Sequence, residues 1–310
     1  MPNTRALRRR IKSVQNTSQI TKAMQMVAAT KMRRAQNQAL MGRPYIQTLN
    51  NILFNLSSKV TSDIHILLKG NNTNKSGILI LSTNKSLCGA LNTNLFRAIM
   101  GFQKDQKDTL FYSVGTKGRD FLVRTQKQLV ADFENTEAIE FRQAAQIAKL
   151  LVESFIKGEI KDCYLVYPKF LSTLRQEPRI EKILPIDPVI LVNEPSETRL
   201  LLRNETQPES TKDPGHSGFA RMTTGSEYLF EPSADRLLDY ILVHFVETKI
   251  YQALLESKAS EHSARMIAMQ NATDNAKELV EDLKLTYNQT RQEAITNQLL
   301  EITSAAAALG

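Results

Sequence analysis

Tryptophan is absent, and cysteine occurs only at Cys88 and Cys163. Two thiols are too few for a disulfide scaffold or a four-ligand zinc site. The four histidines, His65, His216, His244 and His262, stand in no metal-binding spacing, so neither a metal nor a cofactor is expected. No apolar run approaches the roughly 20 residues a membrane span needs. Carboxylates are missing from the first 62 residues, which hold eleven lysines and arginines before Asp63. Glycine and proline are missing from Asn3 to Met41 and again from Ser233 to Leu309.

The last absence carries the most structural information. Glycine and proline cost about 1 and 3 kcal/mol in a helix interior, so their long exclusion marks long helices. Helices over those 39 and 77 residues would reach roughly 58 and 115 Å at about 1.5 Å per residue. The second outruns any single globular core, so it must project and needs a partner. Its apolar positions Met266, Met269, Thr273, Ala276, Val280, Leu283, Tyr287, Thr290 and Ala294 alternate spacings of three and four, the repeat of a coiled-coil seam. At the N-terminus Leu7, Ile11 and Val14 start a stripe, and Ile20, Met24, Val27 and Met32 are read as a displaced continuation. Gly42-Arg43-Pro44 can bend this helix without ending it, because Tyr45, Leu49, Ile52, Leu53 and Leu56 keep helical spacing. The two termini are therefore expected to form an antiparallel coiled coil flanking one domain.

The middle reads as α/β. Ile78–Leu81, Leu110–Val114 and Cys163–Tyr167 are expected strands, the last ended by Pro168. Helices are expected over Leu91–Phe102, from Gly115–Gly118 through Leu129, and over Thr136–Ile156. Alternating strand and helix implies a small doubly wound, Rossmann-like sheet. The polar stretch 203–226, with two prolines and three glycines, reads as a mobile loop. The expected organisation is an N-terminal coiled-coil helix in 1–62, a globular α/β domain in 63–232, and a C-terminal coiled-coil helix in 233–310.

No catalytic constellation emerges. Asn84-Lys85-Ser86 invites comparison with a phosphate-binding loop, but the two glycine positions of that motif are Leu79 and Asn84. Gly115-Thr116-Lys117-Gly118 lacks the dinucleotide spacing as well, and Cys88 has no histidine in local reach, so it reads as a small buried residue. The basic start, Arg8-Arg9-Arg10 through Arg33-Arg34, has three readings. A transit peptide would be shorter, and a nucleic-acid arm would carry a recognised module or interleaved aromatics. The third is a basic rod inside an acidic protein sleeve, favoured by the long C-terminal helix.

Three segments carry a resemblance. They are Ile11–Thr17 with Gln19-Ile20-Thr21-Lys22-Ala23-Met24-Gln25-Met26-Val27-Ala28-Ala29, then Leu87-Cys88-Gly89-Ala90-Leu91-Asn92, and the end segments Ser263–Met269, Ala272–Ala276 and Tyr287–Thr296. Together they resemble the gamma subunits of F-type ATP synthases, with Ala90 replacing a second glycine in the central motif. The resemblance implies a non-catalytic central shaft. Its helices would run up the axis of a ring of three alpha and three beta subunits, and its globular part would sit on the membrane c-ring beside the epsilon subunit. It also implies contact residues: Met24 and Arg265 near an acidic beta-subunit loop, Arg33 and Arg34 further along, and Arg291, Gln292 and Thr296 against upper beta loops. Tyr228, Phe230 and Glu231 would meet the rotor ring and epsilon. Stretch 203–226 is longer than usual and has no cysteine, which implies a bacterial-type subunit on the cytoplasmic face of the plasma membrane, held there by partners. The alternative is a basic-arm nucleic-acid-binding coiled-coil protein.

Overall fold

The computed structural model describes residues 4–57, 65–71, 73–103, 108–186 and 234–309. The expected loop 203–226 and the segment bearing Tyr228, Phe230 and Glu231 lie outside the described residues. Helix α1 spans Thr4–Ser57 and helix α6 spans Ala234–Leu309. Between them come α2 (Ile66–Lys69), β1 (Lys75–Leu81), α3 (Leu91–Gln103), β2 (Asp108–Val114), α4 (Thr116–Arg124), β3 (Leu129–Phe133), α5 (Phe141–Ile156), β4 (Asp162–Phe170) and β5 (Gln176–Leu184).

The long helices pair antiparallel, as three cross-links show. Thr21 and Thr273 share a 2.7 Å hydroxyl bond, Gln252 Nε2 donates to the Ala39 carbonyl at 3.3 Å, and Tyr45 Oη lies 2.6 Å from His244 Nε2. Every expected seam residue of α6, from Met266 to Ala294, is buried or half-buried. On α1 the expected displacement does not occur. The three-and-four spacing runs on from Val14 through Ser18, Thr21, Gln25, Ala28, Met32, Ala35 and Ala39, all at least half-buried. Ile20 and Val27 instead point outward, 60% and 54% exposed. The heptad register outweighs local hydropathy because the polar seam positions find partners; the Thr21 hydroxyl meets that of Thr273, and Ser18 supplies it a carbonyl at 3.0 Å. Pro44 lies inside α1 without ending it. Just before it, Gly42 allows a close crossing, since a Cβ there would sit 3.2 Å from Gln252 Oε1.

The sheet has the order β3-β2-β1-β4-β5, parallel except for the antiparallel β5. Successive residues of its central strands feed opposite layers. Leu79, Leu81, Tyr112, Val114 and Leu165 face α5 and α6, whereas Ile78, Ile80, Phe111 and Val166 pack with Leu95, Ile99 and Leu122 of α3 and α4. This is the doubly wound arrangement expected. Four details differ. The helix after Gly115 stops at Arg124, Gln126 takes a left-handed turn (φ 52°), and Leu129 begins strand β3. The next helix starts at Phe141 rather than Thr136. Strand β4 continues past Pro168, beyond its pairing with β1, and sets Pro168 opposite Pro178, so neither missing N–H is needed there. Strand β5 is a charged edge that hydropathy alone does not reveal.

Candidate functional site

In an open parallel sheet, ligands bind outside the carboxyl ends of the strands, where the strand order reverses. Here that point lies between β1 and β4, and the protein fills it with its own chain. After β1, Ser82 Oγ accepts from Gly118 N at 2.8 Å, the Thr83 carbonyl accepts from Lys117 N at 3.1 Å, and Asn84 Oδ1 accepts from Thr116 N at 3.3 Å. The amides of the first turn of α4 are thereby satisfied by the loop, so that helix start is closed to a phosphate. Gly118 is needed for packing, since a Cβ would lie 2.6 Å from Ser113 Oγ and 2.8 Å from Ser82 Oγ. In the segment Leu87–Asn92, the Asn92 amide donates to Thr83 Oγ1 at 2.8 Å and pins the turn. Cys88 is buried, and burial raises its thiol pKa above the ordinary value, the opposite of an activated nucleophile. Burial likewise pushes Cys163 up to about 12. Among the described residues no group of three or more His, Cys, Asp or Glu could hold a metal ion.

Helix α6 crosses the switch point itself. Ser260 Oγ donates to the Pro168 carbonyl at 2.8 Å, and Ser263 Oγ donates to that of Thr173 at 2.7 Å. Gln176 Nε2 reaches Ser263 Oγ at 3.3 Å. On the β1 side Arg265 Nη2 lies 3.5 Å from the Ser86 carbonyl and 2.9 Å from Glu261 Oε1, whose other oxygen lies 3.4 Å from Lys258 Nζ. These three charged side chains are only 7–12% exposed. His262, also buried, has no hydrogen-bond partner at Nδ1, and burial lowers its pKa to about 4. From α1, Lys31 pairs with Glu137 in the loop after β3, and that hydrogen bond lowers the carboxyl pKa.

Beyond Thr290, α6 changes character. No described residue from Arg291 to Ala305 is buried, and only Ala294 is half-buried. Ile295, Leu299, Leu300 and Ile302 stand 48–65% exposed around this end. No helix among the described residues is long and apolar enough to cross a membrane.

The family model described as ATP synthase matches residues 3–309. The ATP synthase gamma chain of Methylacidiphilum infernorum is 41% identical over 315 aligned positions, covering all of both chains. Those of Polaromonas and Roseiflexus castenholzii are 38% and 39% identical, covering 98–100% of each chain. The chain belongs to the ATP synthase gamma chain family. Its fold also matches a chain in the Euglena gracilis mitochondrial ATP synthase structure of OSCP, F1 and c-ring. The TM-score there is 0.67 at 24% identity, over 99% of this chain and 94% of that one. A chain of the rotor structure from the same organism gives 0.62 at 22% identity, over 94% and 98%. Nothing in these relatives supports the nucleic-acid alternative.

Within this chain the expected contact residues that are described do not gather at one place; they are strung along the two long helices. Met24 is half-buried beside the seam, while Arg33 and Arg34 are exposed on α1. Arg291, Gln292 and Thr296 are exposed on the bare end of α6. Arg265 is turned inward to Glu261 and Ser86. Sequence reasoning missed the junction residues Lys31, Glu137, Lys258, Glu261, Ser260 and Ser263. The available signal was a polar stretch, Ser257 to Ser263, broken only by Ala259, in a helix whose apolar face should continue there.

Proposed function

We propose that the chain is the central rotor shaft of an F-type ATP synthase. It couples proton translocation through the membrane c-ring to ATP synthesis and hydrolysis at the beta-subunit sites, and carries out no bond chemistry itself. Its work is conformational: an asymmetric rod that touches each beta subunit differently biases their populations in turn. The observation that carries this reading is the bare end of α6. A helix with Ile295, Leu299, Leu300 and Ile302 exposed around it is unsuited to water and suited to an enclosing sleeve. Arg291, Gln292 and Thr296 would meet beta loops there, and Met24, Arg33 and Arg34 would face the ring lower down, with Arg265 at the level of the junction. Segment 228–231 would meet the c-ring and epsilon. Under this division 1–62 and 233–310 form the shaft and 63–232 the foot, at the cytoplasmic face of a bacterial membrane, held there by partners. Small seam residues such as Ala28, Ala35 and Ala39 keep the rod slim, and the slimness suits rotation in a bearing.

The test is to mix the chain with alpha and beta subunits, then measure native mass and ATP hydrolysis. One copy per ring of three alpha and three beta subunits, with stimulated turnover, is expected. Failure to assemble, or several copies per ring, would refute the reading.

A further inference from the structure

The shaft reading requires torque to pass between the α/β domain and the rod, and we infer that it passes through a polar latch: Lys258, Ser260, Glu261, Ser263 and Arg265 of α6, with Lys31 of α1. This inference rests on the shaft reading and names the residues by which the domain is held to the helices.

Rotation of a domain about a rod is a shear at their junction. Apolar packing, such as that of α5 and β4 on α6, resists separation through a driving force that is itself non-directional. Hydrogen bonds are directional and fail steeply with misalignment. The latch places such bonds on three separate loops at one end of the sheet. Arg265 Nη2 approaches the Ser86 carbonyl of the loop after β1 at 3.5 Å, Lys31 pairs with Glu137 in the loop after β3, Ser260 donates to Pro168 near the end of β4, and Ser263 donates to Thr173 in the β4–β5 connection. Attachment at three points fixes the angle of the domain, which a single point would leave free to pivot.

Packing alone does not call for these residues. Ser260 and Ser263 are fully buried, where alanine would fill nearly the same volume without the cost of burying a hydroxyl. Their hydroxyls sit three residues apart on one helical face, and they donate to a carbonyl near the end of β4 and to one in the β4–β5 connection. Gln176 adds a further link, its side-chain amide donating to the Ser263 hydroxyl and to the Ser172 and Thr173 carbonyls. The polar content therefore specifies orientation.

The test has two readouts on Ser260→Ala/Ser263→Ala. The first uses the full chain with spin labels at Lys149→Cys on α5 and Lys277→Cys on α6, both exposed in the native chain. Losing two buried hydrogen bonds should raise the population of displaced distances by about tenfold or more. The second is proton pumping per ATP hydrolysed in the complete synthase in vesicles, which should fall. Lys31→Gln, at an exposed site that does not endanger folding, should broaden the distances in the same direction to a smaller extent. An unchanged distance distribution in both variants overturns the latch, as does broadening with undiminished pumping per ATP. A wild-type chain that fails to support coupled pumping would count instead against the shaft reading.

Discussion

Lowering the pH from 7 to 4 should loosen the junction between rod and sheet through one side chain, His262. Its imidazole is buried on α6 with Nδ1 unpartnered. Burial disfavours the cation, and Lys258, Arg265 and Lys31 oppose it further against the pull of Glu261, so the pKa falls from 6.5 to about 4. In the unfolded chain the ring takes up its proton near its ordinary value, so between those two pH values the unfolded state binds the extra proton. Stability contributed by the neutral ring is therefore full above the unfolded value and declines as pH falls. The loss amounts to about 2 kcal/mol by pH 5 and about 3 kcal/mol by pH 4. Other groups titrate in the same window, so the informative quantity is the difference between wild type and His262→Leu, which removes the proton site at similar volume. Urea unfolding of the isolated chain, followed by circular dichroism at several pH values, measures it. The advantage of the variant should grow by about 3 kcal/mol from pH 7 to pH 4. A difference that stays flat across that range would refute the reasoning.

Three further outcomes follow from the same geometry. Glu261→Gln strands the buried Lys258 and the half-buried Arg265 and should cost about 3–5 kcal/mol, whereas Glu137→Gln, which breaks an exposed pair, should cost about 1 kcal/mol or less; equal losses in urea unfolding would contradict the burial argument. In a double-mutant cycle at the seam, Thr21→Val and Thr273→Val should each cost about 1 kcal/mol, and the double variant less than their sum; strict additivity would show that the hydroxyls do not interact. Gly118→Ala should destabilise the α/β domain by about 1–3 kcal/mol through its collision with Ser82 and Ser113, and a thermal midpoint equal to wild type would exclude that crowding.

The two long helices are legible in the sequence because a missing residue type is a strong statement over so many positions. The seam of α6 is legible because its partner-facing residues are mostly apolar or small. The seam of α1 is misread at Ile20 and Val27, since hydropathy assigns the face while the heptad register, carried by Ser18, Thr21 and Gln25, decides it. Strand β1 announces itself as a continuous apolar run buried on both faces. The edge strands do not: β3 is short and at most half-buried, and β5 reads Gln-Glu-Pro-Arg-Ile-Glu-Lys at the edge of the sheet, with β4 as its one neighbouring strand. The family is legible from the terminal motifs. The junction is not, because Lys31 and Glu137 lie 106 positions apart and Ser260 meets Pro168 across 92. Such contacts arise only when the rod is laid across the carboxyl ends of the strands. The loop after β1 is half legible: its missing glycines can be read, but the occupation of the first-turn amides of α4 by Ser82, Thr83 and Asn84 requires the fold.

The most direct test of the shaft reading is to watch the chain turn. The ring of alpha and beta subunits is fixed to a surface, a probe is attached to the α/β domain at an exposed position such as Lys149→Cys, and ATP is added. Rotation in one direction, with a stop for each beta subunit, is the predicted result. ATP hydrolysis at full rate with a motionless probe would contradict it.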